Sequence, residues 1–395
     1  MAVGGAATSA PAAAVASEGG ANIEQNGGHQ MTAKSRAGRL VRLAFCCFPL
    51  LLLPSSVGIR QADVLAIHTR RISDRVLVVW PGDHTQTTTM IAIASEQGMV
   101  VVDTESSWSV TAEIRDVIAR EFQRDDFAFV INTHGHTDHG GGNQVFGDAV
   151  IVAHDRCPGL LRSALDPDNL DRFIERRRFR LEGLEQHLRS VAANDPEAAS
   201  IGEQVHYLRQ ILADLESGFR LTVPQVTFSE RLTLDLGDLT VRMYYFGGLH
   251  SNDHIVVHIP EEALLLTGDI LTDSWIPTLS EGDDVDIPLL LSHWDTILQR
   301  DQELQHIVNG HWDLQLSVAY FRQARQYVRT LWDEVRVAHS RGLDLGAVYD
   351  RLPLEDLFPE FRAVTHESGG IDYHRRNIEL IWSLLHRGER HRSFR

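Results

Sequence analysis

A cluster of histidine and aspartate residues directly after a short apolar run constrains the fold of this 395-residue chain more than any other feature. The run 127–131 (Phe-Ala-Phe-Val-Ile) predicts a buried strand. His134 and His136 follow it, and residues two apart at a strand end can project both imidazoles to the same side. The turn that comes next can bring Asp138 and His139 towards the same space. Three imidazoles and one carboxylate suit zinc or a similar first-row metal, so the segment predicts a metal site at a strand end.

The segments around this cluster alternate between strand and helix patterns. Residues 90–94 and 99–102 are apolar runs on either side of a Glu-Gln-Gly turn, which predicts a hairpin. Apolar residues at helical spacing over 110–122 predict a helix, and further strands are predicted at 150–152, between 226 and 245, at 254–259 and at 263–266. Strands that alternate with helices through one long region indicate a layered α/β domain.

Two further regions have a helical pattern with many charges. The first contains two predicted helices that are broken near Asn194, and the second contains a long amphipathic helix near 320–339 and a last helix near 377–386. We predict an α/β domain with a helical insertion, followed by a helical tail. The predicted boundaries are 74–315 for the α/β domain, 157–222 for the insertion and 316–395 for the C-terminal extension.

The first 66 residues differ in kind from the rest. Residues 1–30 are rich in Ala, Gly and Ser without a hydrophobic period, which predicts a disordered extension. In 31–66, basic residues precede the apolar run 43–53, the pattern of a secretory signal peptide. That run is short for a membrane-spanning helix, which needs about 20 apolar residues. We therefore expect an exported protein, periplasmic or secreted. An uncleaved N-terminal anchor is the alternative and would be its only contact with a membrane.

The charge balance and the cysteines limit the classes of partner. The formal net charge is −17, from 37 basic and 54 acidic residues. A surface that acidic repels phosphate backbones, so we expect a small-molecule substrate and no nucleic acid. Cys157 is the only cysteine outside the N-terminal apolar run, so no disulfide framework supports the fold. We interpret it as a small loop residue rather than a catalytic one. The sequence indicates no particular oligomeric state.

The pattern His-x-His-x-Asp-His at 134–139, followed by Gly-Gly-Asn, resembles the hallmark of the metallo-β-lactamase superfamily. The resemblance extends over 76–311 and includes an acid-tipped strand at 100–103 that is similar to the family's early Asp motif. It implies an αββα sandwich with metals at one edge between two sheets, here with the helical insertion overhanging the cleft and the helical tail. Three later segments are similar to the family's other motifs: Gly-Gly-Leu-His-Ser at 247–251, Leu-Leu-Leu-Thr-Gly-Asp at 264–269 and Ile-Val-Asn-Gly-His at 307–311.

The resemblance also implies a set of ligands and a reaction. It implies two Zn²⁺ ions, with iron or manganese as alternatives, and a shared hydroxide that attacks an ester, lactone, thioester, amide or phosphoester bond. Asp138 would be the catalytic residue that orients this nucleophile. Asp103 would support a ligand or, in the alternative, cap a turn. The implied ligands are His134, His136 and His250 for the first ion, Asp138, His139 and His311 for the second, and Asp269 between the two.

The residue at position 269 bears on the substrate. β-Lactamases of this fold usually carry Cys, Ser or another residue there, so Asp269 makes the chain resemble the glyoxalase II, lactonase and phosphodiesterase side of the family. Three alternatives stay open: a β-lactamase, an iron-dependent redox or sulfur-handling enzyme of the same fold, and a non-catalytic metal-dependent binding protein. His254 and His258 lie near His250, which is preferred as the ligand because His254 falls within the following strand pattern.

Other polar and aromatic residues have two interpretations each. His84 either lines the site opening or, as we favour, lies in an exposed loop, and His154 is expected to pack behind the site. Trp275 and Trp294 either wall a substrate pocket or pack in the core. Residues 373–377 either reach the site or, as we favour, form an ordinary helix N-terminus. A helical insertion over the cleft suits a modest-sized hydrophobic or acylated substrate.

Overall fold

The computed structural model describes the chain from residue 65 onwards, with several gaps. The predicted extension 1–30 and almost all of the signal or anchor segment 31–66 lie outside the described residues, as do His84 and Trp275. None of the helices in the described part of the chain is long and apolar enough to cross a bilayer. The described residues are 65–82, 87–192, 194–271, 276–279, 285–300, 303–311, 316–359, 361 and 372–393.

Seven strands of the described part form the first sheet, in the order β1-β2-β3-β4-β5-β6-β7. The pairs from β1 to β4 are antiparallel, and the pairs from β4 to β7 are parallel. The predicted hairpin is confirmed as β3 and β4. The strands are β1 (Ile67–Arg71), β2 (Val76–Pro81), β3 (Met90–Ser95), β4 (Gly98–Val102), β5 (Phe127–Ile131), β6 (Val150–His154) and β7 (Val226–Phe228).

Five strands of the described part form the second sheet, in the order β12-β11-β10-β9-β8, and within it only β11 and β12 pair in parallel. The sequence predicts the starts of two strands, β10 and β11, one residue too early. Ala263 has a left-handed backbone (φ 50°) that ends a turn, and Ile255 N donates to Thr133 O outside the sheet. The strands are β8 (Arg231–Asp235), β9 (Thr240–Tyr245), β10 (Ile255–Ile259), β11 (Leu264–Leu266) and β12 (His306–Val308).

The helices lie outside the two sheets, and several of them begin at a side-chain cap. The side chains of Ser107, Asp166 and Asp195 accept hydrogen bonds from the first turns of α1, α4 and α5 respectively. The predicted break in the insertion is confirmed between α4 and α5. The helices are α1 (Trp108–Phe122), α2 (Thr137–Gly140), α3 (Cys157–Ala164), α4 (Pro167–Ser190), α5 (Pro196–Glu216), α6 (Ile287–Leu298), α7 (Val318–Ser340), α8 (Leu345–Arg351), α9 (Leu354–Leu357) and α10 (Tyr373–Ser393).

The layers follow from the alternation of side chains along the strands. Val100 and Val102 face the core between the sheets, whereas Val101 faces the outer core that α1 and α5 cover. The outer face of the second sheet is covered by α6, α7, α8 and α10, with Trp294 at the centre of that core. The predicted αββα sandwich with C-terminal helices is therefore confirmed. The boundary at residue 315 stays a prediction, because helices before and after it share one core.

Candidate metal centre

Several strand ends meet at one edge of the sandwich. β4 and β5 run parallel, as do β11 and β12, and all four end at this edge. β10 is antiparallel to β11, so it begins there. The hydrogen bond from Ile255 N to Thr133 O, 2.8 Å long, joins the two sheets at the same place. The seven predicted ligands all lie on the loops of this edge.

The loop after β5 supplies four of the seven. His134 is buried, and His136 directly precedes α2, whose single turn carries Asp138 and His139. The turn packs so closely that a Cβ at Gly141 would lie 2.5 Å from a carbonyl oxygen of α2. Glycine is therefore required there for the loop to fold back on itself.

The first cluster of nitrogen atoms contains His134, His136 and His250. His136 Nδ1 lies 3.0 Å from His134 Nε2 and 3.1 Å from His250 Nε2. His250 comes from the loop between β9 and β10 and has a left-handed backbone, with φ 58°. Its N–H donates to Thr278 O at 2.7 Å, which holds this unfavourable conformation in place. Three imidazoles thus point at a common space.

The second cluster contains Asp138, His139 and His311. Asp138 Oδ2 lies 3.8 Å from Nε2 of each histidine. The outer nitrogen atoms of both rings are engaged: His139 Nδ1–H donates to Asp103 Oδ2 at 3.0 Å, and His311 Nδ1–H donates to Thr87 O at 2.9 Å. In its neutral form, each ring therefore presents the lone pair of Nε2 to the centre.

Asp269 lies between the two clusters, on a short turn directly after β11. One carboxylate oxygen reaches nitrogen atoms of both. Asp269 Oδ2 lies 3.0 Å from Nε2 of His311, 3.2 Å from His139, 3.6 Å from His250 and 3.9 Å from His134.

The two clusters differ in charge. Burial lowers the pKa of His134 well below its ordinary value and that of His250 to about 4, so these imidazoles are neutral, the form that binds a metal. Burial opposes the charged form of His139 and His311 as well. The neighbouring carboxylates, Asp269 first among them, together outweigh it, raising the pKa of His139 well above its ordinary value and that of His311 to about 9. The second cluster therefore strongly favours positive charge.

Two buried atoms at the centre lack a protein partner. Among the described residues, neither Asp269 Oδ1 nor His139 Nε2 has a hydrogen-bond partner. A buried polar atom without a partner costs free energy, so such a pair needs an explanation. Imidazole nitrogen and carboxylate oxygen are donors that zinc and neighbouring metals accept, and three overlapping groups of these residues have their ligand atoms within 4.8 Å of one another. The residues fit a metal centre.

A family model described as the metallo-beta-lactamase superfamily matches residues 82–311, more than half of the chain. This chain belongs to the metallo-beta-lactamase superfamily. Membership confirms the resemblance and the fold class that the sequence predicts.

Similar proteins cover parts of the chain. A metallo-beta-lactamase type 2 from Bacteroides fragilis is 31% identical over 107 residues, which are 27% of this chain and 43% of that protein. The human metallo-beta-lactamase domain-containing protein 1 is 37% identical over 65 residues, 16% of this chain and 24% of that protein. The matched segments thus span less than half of these curated relatives. The sec-alkylsulfatase Pisa1 from Pseudomonas sp. superposes with a TM-score of 0.53 at 13% identity, over 80% of this chain and 50% of that one.

The superfamily's early Asp motif lies behind the ligands, as predicted for Asp103. This residue has a left-handed backbone (φ 61°), and its carboxylate accepts hydrogen bonds from Thr133 N at 2.7 Å and from Thr133 Oγ1 at 2.8 Å. Thr133 Oγ1 in turn lies 3.1 Å from His134 Nδ1. Asp103 therefore supports His139 directly and His134 through one hydroxyl, the first of its two predicted roles.

The remaining predicted residues of this metallo-β-lactamase fold have structural roles. His154 stacks on the ring of Tyr245, with 4.2 Å between ring centroids, and Trp294 is fully buried in the core. Cys157 is buried at the start of α3 and not in a loop, because the chain turns into helix at that residue. Of 373–377, which begins α10, Asn377 binds the 277–279 segment and contacts no predicted ligand.

Sequence reasoning missed several residues around the centre. His254 stacks on His134 with 4.7 Å between centroids and donates from Nε2 to Thr267 O; it immediately precedes the strand to which its pattern assigned it. Glu105 and Tyr207 form a buried pair beside the site. The arginines of α4, including Arg177, line cavities next to Asp138. The only feature of the sequence that pointed to these arginines was the high density of charged residues in 160–220.

Proposed function

We propose that this protein is a binuclear metal-dependent hydrolase. The observation that carries the proposal is the position of Asp269, whose Oδ2 lies within 3.9 Å of imidazole nitrogen atoms from both clusters. A single carboxylate in that position can bind two ions at once. Two ions about 3.5–4 Å apart are the arrangement that hydrolytic enzymes use to clamp an attacking and a leaving oxygen.

The residues divide into two sets of donors. The first is all nitrogen, and the second adds a carboxylate, which suits two Zn²⁺ ions, with iron or manganese as the alternatives. The first ion would be held by His134, His136 and His250, the second by Asp138, His139 and His311, and both by Asp269.

Asp138 has the position of a catalytic carboxylate. When bound, two such ions activate water and stabilise the negative charge that develops on the attacked group. Asp138 lines two neighbouring cavities, and 30% of its side chain is exposed. Its carboxylate can therefore accept a hydrogen bond from water in the cleft and orient that water for attack. The substrate would contain an ester, lactone, thioester, amide or phosphoester bond.

β-Lactam hydrolysis is a second candidate. The 31% identity to a segment of the Bacteroides fragilis metallo-beta-lactamase favours it. Asp269 favours the broader group of hydrolases, since β-lactamases of this fold usually carry Cys or Ser there. β-Lactams therefore belong in the same substrate panel as esters, thioesters, lactones and phosphodiesters.

Metal content and hydrolysis together test the proposal. Elemental mass spectrometry of the purified protein should find about two zinc ions per chain, and fewer in Asp269→Asn. Asp138→Asn should lower kcat on the best substrate of the panel by about 10²-fold or more, because a neutral amide oxygen is a weaker acceptor for the water than a carboxylate. Asp116→Asn, on the exposed face of α1, is the matched control and should change neither quantity.

Three outcomes would contradict the proposal. One ion or none after loading with zinc would mean that the ligand assignment is wrong and would favour the binding protein. Full hydrolysis by Asp138→Asn would remove the catalytic carboxylate from the mechanism. Iron at two ions per chain without hydrolysis would favour the redox enzyme.

A further inference from the structure

Arginines from the helical insertion line the space directly above the candidate metal centre. A cavity of about 330 Å³ has Asp138 and His311 on one side and Arg176, Arg177 and Arg180 on the other. A neighbouring cavity of about 370 Å³ is again lined by Asp138, Arg176 and Arg177, together with His136. Arg176 and Arg177 therefore border both of the cavities that Asp138 lines.

Arg177 is held in place and keeps unused hydrogen-bonding capacity. Its guanidinium carbon lies over the Phe173 ring, 3.2 Å from the ring centroid, a cation–π contact that holds the group beside the ring. Its Nε is buried without a hydrogen-bond partner among the described residues. Burial lowers the pKa of Arg177 to about 10, so the guanidinium stays charged at neutral pH. A buried donor on a charged group has a strong tendency to take an anionic partner.

The same helix places several positive charges close together. Arg176 and Arg180 are four residues apart on α4, where like charges repel, and Arg177 adds a third charge between them. Three clustered positive charges are also unusual on a chain with a net charge of −17. Local features that oppose stability are concentrated at functional sites. The charge density above the cleft therefore indicates a ligand of the opposite sign.

We propose that the substrate of this hydrolase carries an anionic oxyacid group, such as a carboxylate, that Arg176 and Arg177 bind while the reacting bond lies at Asp138. Paired guanidinium groups bind carboxylate, sulfate and phosphate through two parallel hydrogen bonds. The inference rests on the proposed hydrolysis and narrows its substrate to small acids. It replaces the hydrophobic or acylated molecule that the helical insertion alone suggested.

Two matched esters test the inference on the metal-loaded protein. Mono-4-nitrophenyl glutarate has a free carboxylate, and its methyl ester is neutral at the same position. The wild type should prefer the acid by roughly ten- to a hundredfold in kcat/KM, mainly through KM. In Arg176→Gln/Arg177→Gln this ratio should fall to near one while the metal content stays the same.

Arg178→Gln is the control, because Arg178 lies on the same helix but pairs with Glu216 on the surface at 3.2 Å. It removes one positive charge and should keep the preference. Equal kcat/KM for the two esters in the wild type would overturn the inference, and so would a preference that survives in the double variant.

If neither ester is hydrolysed, the proposed hydrolysis of esters is wrong. Calorimetric titration with monomethyl glutarate then tests anion binding by the two arginines on its own. Binding that weakens about tenfold or more in the double variant would support it. Binding that is absent, or equal in both proteins, would overturn it.

Discussion

The ring of His139 is oriented by a single carboxylate. Asp103 Oδ2 accepts its Nδ1–H at 3.0 Å, and the same oxygen accepts from Thr133 Oγ1. A carboxylate can only accept, so the proton of His139 is held on Nδ1 and Nε2 is left as a lone pair for a metal. The left-handed backbone of Asp103 places the carboxylate there at some conformational cost.

Asp103→Asn should therefore weaken binding of the second ion. An amide nitrogen at Oδ2 would face the Nδ1–H of His139, and the ring would move its proton to Nε2, where it blocks coordination. We expect the affinity for one of the two ions to fall about 10- to 100-fold, measured by titration against a chromophoric chelator. Asp148→Asn, an exposed carboxylate paired with Arg115 at 2.9 Å, is the control. Two unchanged dissociation constants would contradict this role of Asp103.

The sequence predicts that the proposed ligands lie close together, and they do, but it does not predict the residues around them. His134, His136, Asp138 and His139 form one short pattern that any correct strand assignment brings to the same edge. His254 was misplaced because a period-2 pattern cannot distinguish the last loop residue from the first strand residue. Arg177 reaches the cleft through the packing of a long insertion, and no local pattern contains that information.

At the scale of elements, buried hydrogen bonds join α5 to segments that flank strands of the first sheet. The hydroxyl of Tyr207 donates to Glu105, which also accepts from Thr88 N at 2.7 Å. Lower on the same helix, Asp214 accepts from Ser109 N at 3.0 Å at the start of α1. These contacts fix the insertion over the cleft, so the position of α4 and its arginines depends on them.

Glu105 should make the stability of the metal-free protein depend on pH. Burial raises its pKa from 4.5 to about 8, against the hydrogen bonds from Tyr207 and Thr88. A raised carboxyl pKa means that the folded state keeps a proton that the unfolded chain releases above about 4.5. The wild type therefore loses stability as the pH rises from about 4.5 to 8, relative to a variant that is neutral throughout.

Glu105→Gln is that variant, since an amide keeps the shape and one acceptor. We expect the free energy of unfolding, measured by urea denaturation of both metal-free proteins, to be higher for the variant. The difference should grow between pH 5 and pH 8. Glu113→Gln, on the exposed side of α1, is the control and should track the wild type. A difference that does not change with pH would mean that Glu105 is ionised in the folded state.

At the scale of the whole molecule, the C-terminal helix α10 binds the segment 277–279, and this segment in turn binds a residue of the candidate metal centre. Asn377 on α10 accepts from Leu279 N at 2.8 Å and donates to Pro277 O at 2.8 Å and to the Tyr327 hydroxyl at 2.9 Å. The residue between those two, Thr278, accepts the N–H of His250. A predicted metal ligand in a left-handed conformation is thus held, through the 277–279 segment, by a helix whose Asn377 lies 100 residues after Pro277 in the sequence.

Asn377→Ala should therefore loosen the first ion selectively. It leaves Leu279 N and Pro277 O without partners, at a cost of about 1–3 kcal/mol each, so the melting temperature should fall. Without these hydrogen bonds Thr278 is no longer held in place, and neither is His250. In a titration against a chromophoric chelator, the dissociation constant of the first ion should therefore rise, while that of the second ion should stay close to the wild-type value. Glu379→Gln, two residues further along α10, removes a carboxylate that accepts from the exposed Tyr349 hydroxyl and serves as the control. A lower melting temperature with both dissociation constants unchanged would show that the tail stabilises the fold without positioning the ligand.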